Sequence, residues 1–204
     1  MVSEIPARQR LLDATLEVAA THGLARLSVG DVAKHAGLSR QTLYKHFSSR
    51  EELIAQAVMR EAGRMVEIVI EAAELEHEPL ASLEVAIFTA LQVLRGHPML
   101  DRLLETEPEA LLPLLVEEQG SVLDAIALIT RQLLVGRVPL LSEVQVAAGA
   151  DLLSRMLISY AVRPPAADPA DVARFLSIAI IGGVSDGRVH GTGSTVEAAP
   201  IPTI

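Results

Sequence analysis

From Ala7 to His22 the apolar residues Leu11, Leu12, Leu16, Val18, Ala19 and Ala20 recur at helical rather than alternating spacing, and Gly23 interrupts the run. The pattern predicts one amphipathic helix. A second is predicted over Val29 to Ala36: Ser28 offers a capping hydroxyl, Asp31 stands three residues on at the positive end of the helix dipole, and Gly37 suits a left-handed C-terminal position. Ser39 caps a third, Arg40 to Phe47. A fourth starts at Ser48 or Ser49, each followed three residues later by a glutamate (Glu51, Glu52), and runs through Leu53, Ala57 and Met65 towards Ala73.

The remainder also reads as helix, divided by Pro79, Pro98, Pro108, Pro113, Gly120, Pro139 and the pair Pro164-Pro165. Thr106 ahead of Pro108 with Glu109, Ser142 with Gln145, and Asp168 ahead of Pro169 mark helix starts. Helices are predicted near 80–96, 98–105, 107–119, 121–136, 142–163 and 168–184. No regularly alternating run with a hairpin dipeptide argues for a strand. The expected fold is all-α with about nine or ten helices: an N-terminal domain over 1–50, extending into a connecting helix at 49–73, then a helical domain over 51–184. The glycines, threonines and late prolines of 185–204 read as a flexible tail.

Half of the 204 residues are hydrophobic and the mean hydropathy is positive, more apolar surface than one ordinary core consumes. No run reaches the roughly 18 apolar residues of a membrane span, and Phe175 to Val184 is broken by Ser177 and two glycines. Met1 to Arg10 contains no apolar stretch of the kind a secretory signal needs, so the expected location is cytoplasmic, with no membrane partner. The absence of cysteine excludes disulfides, thiol catalysis and cysteine-based zinc sites. The net charge of −9 is unevenly placed. Seven Lys and Arg face four Asp and Glu up to Arg50, against ten and twenty-two beyond it, and the only lysines are Lys34 and Lys45. A basic head on an acidic body suits contact with nucleic acid at one end.

That head has the form of a helix-turn-helix over Val32 to Phe47. Small Ala33 lets two helices approach, Gly37 makes the turn, and Leu38, Leu43 and Phe47 supply buried anchors. With Leu43 and Phe47 inside, Arg40, Gln41, Thr42, Tyr44 and Lys45 fall on or beside the outer face. Arg and Lys donate to guanine O6 and N7, Gln pairs with adenine and the Thr methyl touches thymine, while Tyr44 and Ser39 suit phosphates. The competing reading of these side chains is an ordinary solvated helix face. His22 and His35 read as structural.

At these residues the chain resembles the TetR family of bacterial regulators: the segment Leu11 to Leu53 carries Thr42-Leu43-Tyr44-Lys45-His46-Phe47 followed by Ser49-Arg50-Glu51-Glu52-Leu53. The resemblance implies base or phosphate contacts by Arg40, Gln41, Thr42, Tyr44 and Lys45, and backbone contacts by Ser28, His46 and Arg50. One departure is Gly30, where some members carry a basic, base-reading side chain. The implied partners are double-stranded operator DNA, a second copy of the chain and a small effector.

Beyond about residue 75 the resemblance is generic. Leu103-Leu104, Leu111 to Val116 and Val122 to Ile129 are apolar around most of each helix, so they need partners on two sides, in a pocket or a subunit interface. The resemblance implies dimerisation through the last two helices, where Ala147, Ala148, Leu152, Met156 and Ser159 form one stripe and Phe175, Ile178, Ala179 and Gly182 another. Pocket candidates are Leu91, Leu94, Leu104, Leu115, Leu123, Ile126, Met156 and Leu157, with Gln92, Gln119, Thr130 and Tyr160 as polar handles. With three Phe, two Tyr and no Trp, few faces exist for stacking planar cations, and aliphatic walls suit a fatty acid, acyl thioester, alkane, terpene or other lipid-like effector. Two-fold symmetry implies a palindromic operator. The expected function is a ligand-responsive, sequence-specific repressor released by that effector. The alternatives are a ligand-insensitive or architectural DNA binder and a helical enzyme. Glu74-x-x-His77 is half of a di-iron motif without its second half, and Gly191-x-Gly193 follows no predicted strand, so no cofactor, metal site or catalytic residue is expected.

Overall fold

A computed structural model of the chain describes residues 6–109, 122–139 and 141–186. Among them every regular element is a helix: α1 (Ala7–His22), α2 (Val29–His35), α3 (Arg40–His46), α4 (Arg50–Glu74), α5 (Pro79–Arg95), α6 (Pro98–Thr106), α7 (Val122–Arg137), α8 (Glu143–Val162) and α9 (Pro169–Asp186). The helix expected over 107–119 lies outside the described residues beyond 109, as does the expected tail from 187. Thr106 does not cap that helix. It is the last residue of α6, and its hydroxyl donates to the Arg102 carbonyl at 2.7 Å, one turn back.

Short polar side chains set the helix starts. Ser28 accepts from the Asp31 amide at 3.1 Å, Ser39 from Thr42 at 3.0 Å and Ser49 from Glu52 at 3.0 Å, each satisfying an amide that the first helical turn leaves unpaired. Ser142 and Gln145 close a full capping box on α8. At the end of α2 the Leu38 amide reaches back to Ala33 and the Gly37 amide to Lys34. This Schellman closure needs a left-handed residue, which Gly37 supplies at φ 64°.

Two hydrophobic cores result. One joins α1, α2, α3 and the first turns of α4, around Leu11, Leu12, Val32, Leu43, Phe47, Leu53 and Ala57, and takes Met99 and Leu103 from α6. The other gathers α5, α7, α8 and α9 around Leu83, Ile87, Leu91, Leu134, Leu153 and Leu176. Helix α4 passes from the first towards the second. Leu53, Ile54, Ala57 and Val58 are buried at its head end, and the same i, i+3/i+4 stripe continues through Ala62, Met65, Val66 and Val69 against the body. Arg50 fastens its start: Nε donates to the Leu27 carbonyl at 2.8 Å and a terminal nitrogen to the Leu24 carbonyl.

Phe47 is 1% exposed and its ring is covered by the Arg8 guanidinium at 5.5 Å, whereas Tyr44 on the same helix is 56% exposed. Phe47→Ala is expected to cost about 3–5 kcal/mol and Tyr44→Ala well under 1 kcal/mol by urea denaturation; equal losses would contradict this packing. The Ser48 hydroxyl, and then its amide, hold the half-buried Glu52 carboxyl below its ordinary value of 4.5. A carboxyl depressed on folding contributes stability above its unfolded value and loses it as pH falls through the folded one. The urea midpoint of the native protein is therefore expected to fall more steeply below about pH 4.5 than that of Glu52→Gln; parallel acid curves would remove Glu52 from the cap.

Candidate nucleic-acid interface and apolar cavity

The α2–turn–α3 unit is held so that one side of α3 is fully committed and the other free. Leu43 is completely buried and Phe47 ends the helix in extended conformation inside the core. At 100° per residue, Arg40, Gln41, Tyr44 and Lys45 then share the opposite side, and all four are exposed. Among the described residues, the side chains of Gln41, Tyr44 and Lys45 make no hydrogen bond or ion pair. Thr42 is half-buried, its hydroxyl 2.9 Å from that of Ser39, so both hydroxyls stand at the N-terminus of α3 beside an exposed amide end. Ser28 occupies the matching place on α2, its hydroxyl shared with the Asp31 carboxylate. His46 is exposed at the end of α3, its ring tilted against Phe47. Arg50, expected to touch a backbone, has its guanidinium engaged by the Leu24 and Leu27 carbonyls and by Glu51 at 3.4 Å. It positions the α1–α2 loop.

Gly30 gives the head a feature that sequence reading overlooked. A Cβ placed there would collide with the Arg40 guanidinium, which lies across the first turn of α2. The side chain that starts α3 therefore occupies the space that a side chain at position 30 would fill. Only the close approach of the two helices makes this visible. Elsewhere in the head, His35 meets Glu17 at 2.5 Å and His22 is exposed.

Between α4, α5, α6, α7 and α8 lies a cavity of about 140 Å³ whose wall is almost all carbon. Of the expected pocket residues, Leu94, Leu104, Ile126, Thr130 and Leu157 line it. Leu91, Gln92, Leu123, Met156 and Tyr160 do not. Leu91 is packed in the second core and Gln92 is exposed, because each residue turns 100° along the helix and the cavity side of α5 is set by Ala90 and Leu94. Met156 and Tyr160 flank the stripe of Leu153, Leu157 and Ala161 that α8 presents. Leu123 is half-buried one turn ahead of Ile126, and Leu115 and Gln119 lie outside the described residues. The α4 wall, including Val58, Met65 and Val69, was missed, although its regular spacing beyond Ala57 was the available signal.

Polar contacts tie this wall to the head. Glu61, on the cavity side of α4, accepts from His97 Nε2 at 3.1 Å and faces Arg64 at 3.5 Å. Arg64 reaches Asp13 of α1 at 3.3 Å, and Arg60 joins the same carboxylate and the Gln9 carbonyl. Helix α6 is two-sided: Leu103 is buried in the head core while Leu104 lines the cavity, and just past its end Glu107 accepts from the Ala25 amide at 2.8 Å.

A third surface lies on α8 and α9. Ala147, Ala148, Leu152, Ser159, Phe175, Ile178, Ala179 and Gly182 are all exposed in the single chain, with Phe175 71% exposed.

Known proteins resemble this chain in sequence and in fold. The family model described as bacterial regulatory proteins, tetR family, matches residues 11–57, which are α1 to the first turns of α4. An HTH-type transcriptional regulator of Mycobacterium tuberculosis is 39% identical over 95 residues, 46% of each chain, so the match spans less than half the length of that relative. The HTH-type transcriptional regulator AlkX of the same organism is 39% identical over 62 residues, covering 30% of this chain and 29% of that one. Among solved structures, the TetR family repressor AlkX from Dietzia sp. strain DQ12-45-1b superposes with a TM-score of 0.69 at 23% identity, over 89% of this chain and 97% of that one. The likeness of sequence is concentrated in the head, and the likeness of fold extends through the helical body. The head segment thus matches the family model of tetR bacterial regulatory proteins, and the helices of the body are arranged as in the Dietzia structure.

Proposed function

We propose that the chain is a sequence-specific DNA-binding transcription regulator that acts as a dimer on a palindromic operator in the cytoplasm and is released by an apolar effector. The observation that carries the reading is the exposed row Arg40, Gln41, Tyr44 and Lys45, backed by the buried Leu43 and Phe47. A rigid helix offering two cations, an amide and a phenol matches the donor and acceptor pattern of the major groove. Ser39 and Thr42 at its N-terminus, with Ser28 and His46 alongside, suit phosphate oxygens. The likeness to HTH-type transcriptional regulators of Mycobacterium tuberculosis lends support. Lack of a broadly basic body weighs against an architectural binder.

The exposed stripes on α8 and α9 supply the second copy: an apolar face of this kind costs free energy in water and is relieved by packing against its own symmetry mate. The cavity supplies the effector site, since carbon walls reward burial of an aliphatic molecule. The Dietzia repressor is implicated in biodegradation of n-alkanes, and a Bacillus subtilis FadR of similar fold was solved with stearoyl-CoA. Both suit an acyl or hydrocarbon effector here. Because α4 and α6 each touch both the cavity and the head, an effector that favours a different α4 position weakens operator affinity through its unequal affinity for the two states.

A duplex selected from a random library is expected to bind at physiological salt at least a hundredfold more tightly than its scrambled counterpart; equal affinities would sink the regulator reading. On that duplex Tyr44→Ala is expected to weaken binding without loss of helix content. Arg40→Ala is expected to relax preference at one base pair per half-site by about 1–3 kcal/mol. Gly30→Ala, by displacing the Arg40 guanidinium, is expected to alter preference at that same base pair, with the double variant no worse than Arg40→Ala. Uniform losses across all sequences would instead make Arg40 a phosphate contact. For the dimer, Phe175→Glu is expected to sediment as a helical monomer; an unchanged dimer would move the interface elsewhere.

A further inference from the structure

Among the described residues, two polar side chains reach the cavity wall, Glu61 and Thr130, and neither offers a donor to an anion. The Thr130 hydroxyl donates to the Ile126 carbonyl of its own helix at 2.7 Å. The Glu61 carboxylate is turned to His97 and Arg64, leaving mainly its methylene stem towards the carbon-lined space. The tautomer of His97 follows from its contacts: Nδ1 accepts from the Leu100 amide at 3.4 Å, so Nε2 carries the hydrogen given to Glu61. No lysine or arginine is among the described lining residues, and Arg64, which faces Glu61, is half-exposed and pairs with Asp13 as well.

An ionised carboxylate entering such a space loses its water, finds no donor among the described lining residues and approaches the Glu61 carboxylate that lies just behind the wall. An uncharged chain loses only apolar hydration, which favours entry. The volume, about 140 Å³, matches dry apolar cavities that hold a small hydrocarbon and falls below the usual range of ligand pockets, so a longer chain has to enlarge the space as it enters. Resting on the reading of this cavity as the effector site, we propose that it takes an uncharged aliphatic ligand (a hydrocarbon or an ester) and that Glu61 is the specificity-determining residue that excludes free fatty-acid carboxylates.

The test is calorimetric titration of the full chain at pH 7.5 with octane, methyl octanoate and octanoate, repeated on Glu61→Gln, whose amide oxygen still accepts from His97. Methyl octanoate and octane are expected to bind, octanoate at least tenfold more weakly, and the gap is expected to narrow severalfold in Glu61→Gln. Thr130→Val, as a control, is expected to leave the gap unchanged. The wild-type comparison stands whether or not the variant folds. Octanoate binding within threefold of its methyl ester would overturn the selectivity while leaving the cavity as an effector site. A gap unchanged in a folded Glu61→Gln would remove Glu61 as its cause. If none of the three ligands binds, the effector reading falls and the selectivity with it.

Discussion

Helix α4 is held at its start by the head core and further along by α5 and the cavity wall, and much of the molecule follows from that. Its first turns carry Leu53, Ile54, Ala57 and Val58 into the head, where they are buried against α1 and α3. The same stripe then becomes one wall of the body cavity, with Val58 belonging to both. A continuous helix cannot rotate one end about its axis without rotating the other. The cavity wall and the head core therefore share one rigid element. Few stiffer connections are available to a chain of this size, since packed interiors respond to added volume by shifting between arrangements rather than by yielding gradually.

Polar contacts reinforce that geometry without dominating its energy. Asp13, Arg60, Arg64, Glu61 and His97 form a partly exposed chain from α1 through α4 to α6. Each such pair contributes on the order of 0–1 kcal/mol, far less than the buried leucines on either side. Their value lies in direction: they fix which face of α4 meets α1 and α6. Helix α6 repeats the two-sided logic on a shorter scale, with Leu103 towards the head and Leu104 towards the cavity.

The head itself is organised to leave side chains free. Ser28, Ser39 and Ser49 complete three helix starts, Gly37 and Leu38 close the turn, and Arg50 fastens the α1–α2 loop by two carbonyls. The backbone demands are met locally, so Gln41, Tyr44 and Lys45 stand outward on a helix held firmly from behind. Arg40 differs, because Gly30 gives its guanidinium a resting place on α2.

The sequence by itself determined the local elements, since they depend on near neighbours: α1 begins and ends where its periodicity does, and the Ser28, Ser39 and Ser142 caps lie where hydroxyls stand three residues ahead of an amide. It also placed Tyr44 outside and Leu43 inside, because helical phase needs no partner to be read. Tertiary structure decided what depends on distant segments. Leu91 and Leu94 are alike as residues, yet only Leu94 lines the cavity. Arg50 reads as a free cation until the carbonyls of Leu24 and Leu27 arrive beside it. Glu61 is one more charge on a long helix until α5, α6 and α7 enclose an apolar space against it, and no local pattern encodes which face another helix will cover.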